Sequence, residues 1–358
     1  MSYLDVTLLN DFQSRNATNE KFIANYGLIN LAKDSTPFVD YIAPTVKEMM
    51  ATQSGARDSK IPVLKDQQVT VTTVPGFSNI PINMGESDNY FFTAFDVFSG
   101  FRNYPSSFEN NQLDQQFYTD NILKNVLQGM AVEIDNTIKT VLEGRKTQVL
   151  NHTAQISQND GTYNFNAGTD TLEISKAAQK DTMFYQLTQL MQANQLPGNY
   201  KIVTSPAGLV VGNAEALKFG ANNDKNLEWA QGGMASGDRY ISDQIATSAN
   251  FDGFLVRDGD VGLFENYPAD FRAGTEFAGK KWSVSDIELP FTRMRANIFV
   301  NKEATDATAI VGAGNDSNLT MTHFEEMAIW HRFYIVHRYN SDLSTRQNAV
   351  VKVQGLTS

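Results

Sequence analysis

From Gln112 to Leu150 the chain runs 39 residues without a proline, and Leu123, Val126, Leu127, Met130, Ile134, Ile138, Val141 and Leu142 recur along it at helical spacing. One helix of that length would span up to roughly 58 Å at about 1.5 Å per residue, more than a small domain's width, so the remainder must be laid out along it. Gly129 and Gly144 each cost about 1 kcal/mol relative to alanine, or mark a close packing contact. A coiled coil fits less well, because Gln, Asn and Gly interrupt the seam and the length is barely five heptads.

The 358 residues suit two or three structural units, and 41% hydrophobic with 19% charged residues can bury a real core. Cysteine is absent, which removes disulfides, thiolate nucleophiles, Cys-ligated zinc and iron-sulfur clusters. The first 25 residues lack a basic start followed by an apolar run, and no apolar stretch reaches the length of a membrane span, so the expectation is cytoplasmic folding with no membrane. The sequons at Asn16, Asn151 and Asn318 carry no weight without a secretory signal. A net charge of -11 repels phosphate, and no Lys/Arg block exceeds two residues, so sequence-specific nucleic-acid reading is not expected. Residues 201–268 hold nine acids against five bases, whereas residues 269–358 are neutral. A mildly acidic surface facing packaged nucleic acid would avoid sticking to it.

Residues 1–55 read as an arm of short helices, Leu4 to Phe12, Asn19 to Lys33 and Pro37 to Met50, too short to stand without docking on something larger, in this chain or another. From Lys60 the period changes to two, and IPVLKDQQVTVTTV and YFFTAFDVF read as strands of a long hairpin. Its tip, residues 75–89, is rich in turn formers and would expose Phe77 and Ile80. A two-stranded ribbon cannot bury its own apolar residues, so this one should lie on a partner surface or fold back on its own domain. Residues 151–171 read as a loop or hairpin around TYNF, Ser175 to Asn194 as a second helix, and YKIVTS as a buried strand ending at Pro206. AGLVVGNAEALKFG reads as a short helix and turn, and residues 221–240 as a surface loop. Residues 251–266 read as two strands about a turn at Asp258-Gly259, with later strands at Lys281 to Ser285, Arg293 to Val300, Arg332 to Arg338 and Ala349 to Val353.

Catalytic chemistry is thin. His331 and His337 would sit about 20 Å apart on one strand face, too far to share a metal. DGDVG at 258–262 lacks the ligand spacing of a calcium loop, and VGAGND at 311–316 lacks the third glycine and helix of a nucleotide site. Glu325-Glu326 read as adjacent carboxylates on a solvated helix face. No catalytic residue, cofactor or metal site is expected, and the chain reads as no enzyme.

Arm, long hairpin, very long helix, then a second helix feeding a mixed region with late strands: this order resembles the major capsid proteins of tailed phages, whose fold is named after phage Hong Kong 97. The resemblance implies an α+β chain with an N-terminal arm at 1–55, an E-loop at 56–110, and a P-domain at 111–174 containing the spine helix. An A-domain at 175–286, P-domain return strands at 287–340 and an A-domain closing strand at 341–358 would follow. It places Pro75, Gly76, Phe77, Ile80 and Met84 at an E-loop tip used in assembly, and Leu123, Leu127, Met130, Ile134 and Ile138 on the spine. It implies hexamers and pentamers of the chain itself in a virion capsid assembled in a bacterial cytoplasm. It implies a separate scaffolding protein or none, with portal and decoration proteins as further partners and packaged double-stranded DNA as a non-specific neighbour. Noncovalent locking is expected, since nothing identifies a Lys-Asn crosslink. An encapsulin-like nanocompartment shell, a phage tail or baseplate protein, and a binding module using the 221–240 loop are the alternatives.

Overall fold

A computed structural model describes residues 26–34, 45–46, 48–49, 59–64, 87–92, 94–103, 112–153, 161–179, 183–196, 198–208, 239–245, 250–266, 276–277, 280–289, 293–309, 319–337 and 348–357. Their elements, in chain order, are α1 (Gly27–Asp34), β1 (Ser59–Leu64), β2 (Ser87–Phe92), β3 (Ala94–Asn103), α2 (Gln112–Arg145), β4 (Tyr163–Asn166), β5 (Thr171–Ile174) and α3 (Met183–Ala193). Then come β6 (Tyr200–Thr204), β7 (Arg239–Ile241), β8 (Phe251–Arg257), β9 (Val261–Asn266), β10 (Glu276–Phe277), β11 (Lys280–Lys281), β12 (Ser283–Glu288), β13 (Arg295–Ala309), β14 (Leu319–His337) and β15 (Val350–Gly355). The chain is α+β.

The long helix is present as α2, with 34 residues. Leu123, Leu127, Met130, Ala131, Ile134, Ile138 and Leu142 are all buried along one side of it, sharing a core with Val97, Ile298, Ile329 and Phe333 of a five-stranded sheet. It stops at Arg145, short of the expected Leu150, because other partners claim the backbone there. The Asn348 side-chain amide caps the Arg145 carbonyl at 2.9 Å, and Thr147 N–H donates to the Val350 carbonyl at 2.8 Å. Gly129 and Gly144 mark no packing contact: a Cβ at either would meet nothing within 4 Å.

The five-stranded sheet runs β12-β13-β14-β3, with β9 also paired to β14. β13 and then β9 follow one another along one edge of β14, while β3 lies along the other. Both late strands exceed expectation: β13 has 15 residues and β14 has 19, starting well before Arg332. The six-stranded sheet runs β4-β5-β15-β8-β6-β7, with β5–β15 and β6–β7 parallel and the other pairs antiparallel. Val203, Phe254, Val256 and Val350 face the core of α1 and α2, while Ile202, Leu255, Phe251 and Val351 face the core under α3. Burial on both faces explains why YKIVT and the FDGFLV run carry so few polar residues.

Several local readings change. The two strands about Asp258-Gly259 exist, but they do not pair with each other: β8 belongs to the six-stranded sheet and β9 to the five-stranded one. Gly259, at φ 83°, and Arg257, whose Nε and Nη2 both donate to Asp260 Oδ1 at 3.1 and 3.0 Å, shape the turn that carries the chain between sheets. β7 occupies residues 239–240 of the expected surface loop, paired parallel with β6. The second helix begins at Met183, not Ser175, because Ser175–Gln179 forms a turn locked by other segments. Gln179 Nε2 donates to the carbonyls of Ile174 and Leu356, both at 2.8 Å, and the Asn250 amide donates to Gln179 Oε1. β5, missed in the sequence, pairs with β15 and β4.

In the arm, Tyr26 forms a bridge with Ser242, so no continuous helix runs from Asn19 to Lys33; α1 starts at Gly27. Gly27 is required there, since a Cβ would run into the Ile241 backbone. Leu28, Ile29 and Leu31 are wholly buried against the chain's own core, so this part of the arm docks on its own body.

Candidate assembly surfaces

β1 and β2 pair antiparallel from Ser59↔Phe92 to Leu64↔Ser87, as a two-stranded sheet among the described residues. One residue after Phe92 the chain enters β3, so the ribbon is rooted in the five-stranded sheet. Pro62 within β1 fits a strand whose outer edge donates to no third strand in that sheet. Pro75, Gly76, Phe77, Ile80 and Met84, the expected tip, lie outside the described residues, as does the alternation at Val69, Val71 and Thr73. Leu123, Leu127, Met130, Ile134 and Ile138 are at most 1% exposed, so they hold the helix to its own sheet.

A second ribbon had no place in the sequence reading. β12 pairs with β13 only as far as Val300, and β3 reaches β14 only as far as Glu325. Beyond those points β13 and β14 continue as a pair, Ala304↔Phe324 to Ala309↔Leu319, past a register shift between Asn301 and Ala304. The alternation in ATDATA and LTMTHF around the glycines of VGAGND is the signal that could have found it. VGAGND itself lies outside the described residues.

The outer face of the five-stranded sheet is aromatic and ion-paired, and cross-strand register assembles it. Asp96 lies opposite Arg332, Phe98 opposite Trp330, and Arg102 opposite Glu326. The Arg332 guanidinium donates to both Asp96 oxygens at 2.6 and 2.9 Å, and Trp330 Nε1 donates to Asp96 Oδ1 at 2.8 Å. The same guanidinium stacks 4.7 Å from the Trp330 ring centre, and Trp330, Phe299 and Trp282 follow at centroid spacings of 6.2 and 6.4 Å. Phe98 stands 67% exposed beside them. At the start of α2, Phe117 and Tyr118 are also exposed. Such side chains are the kind a partner surface covers.

Glu325 and Glu326 are not a solvated helix face. They lie on β14, both buried, with Glu326 paired to Arg102 at 2.9 Å. His331 and His337 are buried on the same strand, and burial lowers their pKa values to about 4 and about 3, so both are neutral at physiological pH. His331 stacks on Phe333 at 5.2 Å and donates from Nδ1 to the Arg295 carbonyl at 3.1 Å. Among the described residues, no cluster of three or more His, Cys, Asp or Glu could hold a metal, and no helix is long and apolar enough to cross a membrane.

No protein-family model and no curated protein matches the chain. Among solved structures it is similar to a chain from Mycobacterium phage Adephagia, with 11% identity and a TM-score of 0.43, covering 89% of this chain and 92% of that one. It is also similar to a chain in the capsid structure of the cyanophage P-SCSP1u, with 10% identity and a TM-score of 0.41, covering 86% of each. A third is a chain from the asymmetric unit of the bacteriophage PhiM1 mature capsid, at 10% identity and a TM-score of 0.40, covering 86% of this chain and 84% of that one. Likeness at this level carries no argument about function, which is drawn from the chain's own elements.

Proposed function

We propose that the chain is a major capsid protein of a tailed phage, a shell subunit whose work is to bind copies of itself. The observation that carries this reading is the β1/β2 ribbon, rooted at β3 in a sheet braced by a 34-residue helix. A rigid body resists load along its length, whereas a two-stranded ribbon gains stability by lying on another surface. Each overlap removes apolar area from water at about 25 cal/mol per Å², and closed symmetry repeats that gain around every axis. In this reading residues 1–55 are the arm, 56–110 the E-loop and 111–174 the spine-bearing P-domain. Residues 175–286 form the A-domain, 287–340 return to the P-domain, and 341–358 close the A-domain. Hexamers and pentamers enclose double-stranded DNA in a virion assembled in the bacterial cytoplasm, aided by scaffolding, portal and decoration proteins. The E-loop tip is Pro75, Gly76, Phe77, Ile80 and Met84.

Expression of the full chain, followed by negative-stain electron microscopy and analytical ultracentrifugation, tests this. Closed shells, tubes or capsomer rings are expected. A protein that stays monomeric even with crowding or a co-expressed scaffold would overturn it, and shells purified from host cells filled with a cargo enzyme and no DNA would replace the phage head with a nanocompartment.

A further inference from the structure

Three segments far apart in sequence meet at one buried carboxylate. Asp135, about two-thirds of the way along α2, is wholly buried. Its Oδ1 accepts the backbone N–H groups of Leu28 and Ile29 at 3.1 and 3.0 Å, and its Oδ2 accepts the Ser242 hydroxyl just past β7. Leu28 and Ile29 are the second and third residues of α1, the positions whose N–H groups a helix's own capping side chain normally satisfies. Tyr26, which precedes the helix, has no side chain able to do this, so the cap comes from the neighbouring helix. Ser242 Oγ also accepts the Gln244 N–H at 3.2 Å, and Lys139, one turn along α2, donates to the Gln244 carbonyl at 3.0 Å. The titratable and charged groups facing the joint are Tyr26, Asp243 and Lys139.

We propose that Asp135 makes this joint a proton-dependent latch, in which α1 docks more tightly on α2 and the Ser242 segment when the carboxyl is protonated and more loosely when it is ionised. Docking strips water from the carboxylate, and the nearby Lys139 ammonium donates to the Gln244 carbonyl instead of to Asp135. A protonated carboxyl keeps Oδ1 as acceptor for both N–H groups and turns its own O–H toward Ser242 Oγ, so neutralisation removes the burial cost without losing the cap. Burial raises the docked pKa from 3.8 to about 6, the hydrogen bonds from Ser242, Ile29 and Leu28 oppose this, and Asp243 adds to it. A raised carboxyl pKa means the docked form binds the proton more tightly. Docking therefore strengthens as pH falls through about 6 and levels off near 4. The change in docking constant between pH 8 and pH 5 is about tenfold. The latch stands whether or not the chain builds a shell.

Hydrogen exchange on the full chain, read by mass spectrometry and corrected for the intrinsic pH dependence of amide exchange, tests it. Peptides spanning 26–34 are expected to open about tenfold more at pH 8 than at pH 5, while peptides from β8 and β15 do not follow this slope. Asp135→Asn should keep the cap and abolish the slope, and Asp243→Asn should move its midpoint to lower pH. A flat wild-type profile, or a slope that survives Asp135→Asn, would overturn the latch. Should Asp135→Asn not fold, a carboxyl carbon NMR titration of the wild-type chain decides: a midpoint near 6 upholds it and one near 4 sinks it.

Discussion

Asp96 and His331 show how single residues on β3 and β14 carry opposite kinds of risk. The Arg332 side chain is 7% exposed, and its guanidinium pairs with Asp96. Asp96→Ala would remove both hydrogen bonds from that guanidinium, and since the Asp96 side chain is 37% exposed we expect a loss of about 1–2 kcal/mol in urea unfolding. The double change Asp96→Ala with Arg332→Met should recover part of it; equal losses in both variants would mean the pair contributes nothing. His331 is neutral because burial depresses its pKa, so the folded state binds fewer protons than the unfolded one. Its stability contribution is intact above the ordinary value of 6.5 and is lost as pH falls toward about 4. His331→Phe should flatten the acid side of the stability profile by up to about 1.4 kcal/mol per pH unit, measured by denaturation midpoints between pH 6.5 and 4.5. An unchanged acid slope would show that another group, such as His337, sets it. The sequence placed both histidines on one strand. It gave no sign of Asp96 as their neighbour's hub, because Asp96 and Arg332 are brought opposite only by register.

Among the elements, α2 was the most legible and its glycines the least. Nothing lies near a Cβ at Gly129 and the position is exposed in mid-helix, so Gly129→Ala should stabilise by about 0.5–1 kcal/mol. Gly129→Pro should cost about 3 kcal/mol or more, by removing a helical hydrogen bond and forcing a kink. Thermal melting of the two variants should bracket the wild type, and coincident curves would contradict a continuous helix. α3 shows a different limit. The Ser175–Gln179 stretch has helical composition, yet Gln179 bonds to Ile174, Leu356 and Asn250, partners up to 177 residues away, and these hold the segment as a turn. At the other end, Leu196 N–H reaches the Met191 carbonyl at 3.0 Å with Gln195 at φ 59°, closing the helix just before Pro197-Gly198, as the sequence led one to expect.

For the whole molecule, the two cores supply the cohesion, and the proposed role gives contact between copies to the ribbons. The cores hold the body together through α2 and the six-stranded sheet, whereas β1 pairs only with β2 among the described residues and β13 and β14 run on past their flanking strands. Deleting residues 75–86, which spares the β2 strand that begins at Ser87, should leave soluble protein with near-normal melting while abolishing shells, tubes and rings in electron micrographs. Assemblies like the wild type from that deletion would refute the ribbon's proposed role. The charge of -11 should make assembly easier at higher ionic strength, since screening over about 8–10 Å weakens repulsion between like-charged copies.

Periodicity alone determined the long helix and most strands. Apolar spacing at three to four residues, or at two, is a property of the local chain and needs no partner to be read. Tertiary structure alone decided which strands pair, that β8 and β9 part company across one turn, that β13 and β14 run on as a second ribbon, and that Asp135 caps a helix about a hundred residues upstream. Those outcomes rest on hydrogen bonds and burial between distant segments. The energies that select them come from register and desolvation, quantities that exist only once the chain has folded.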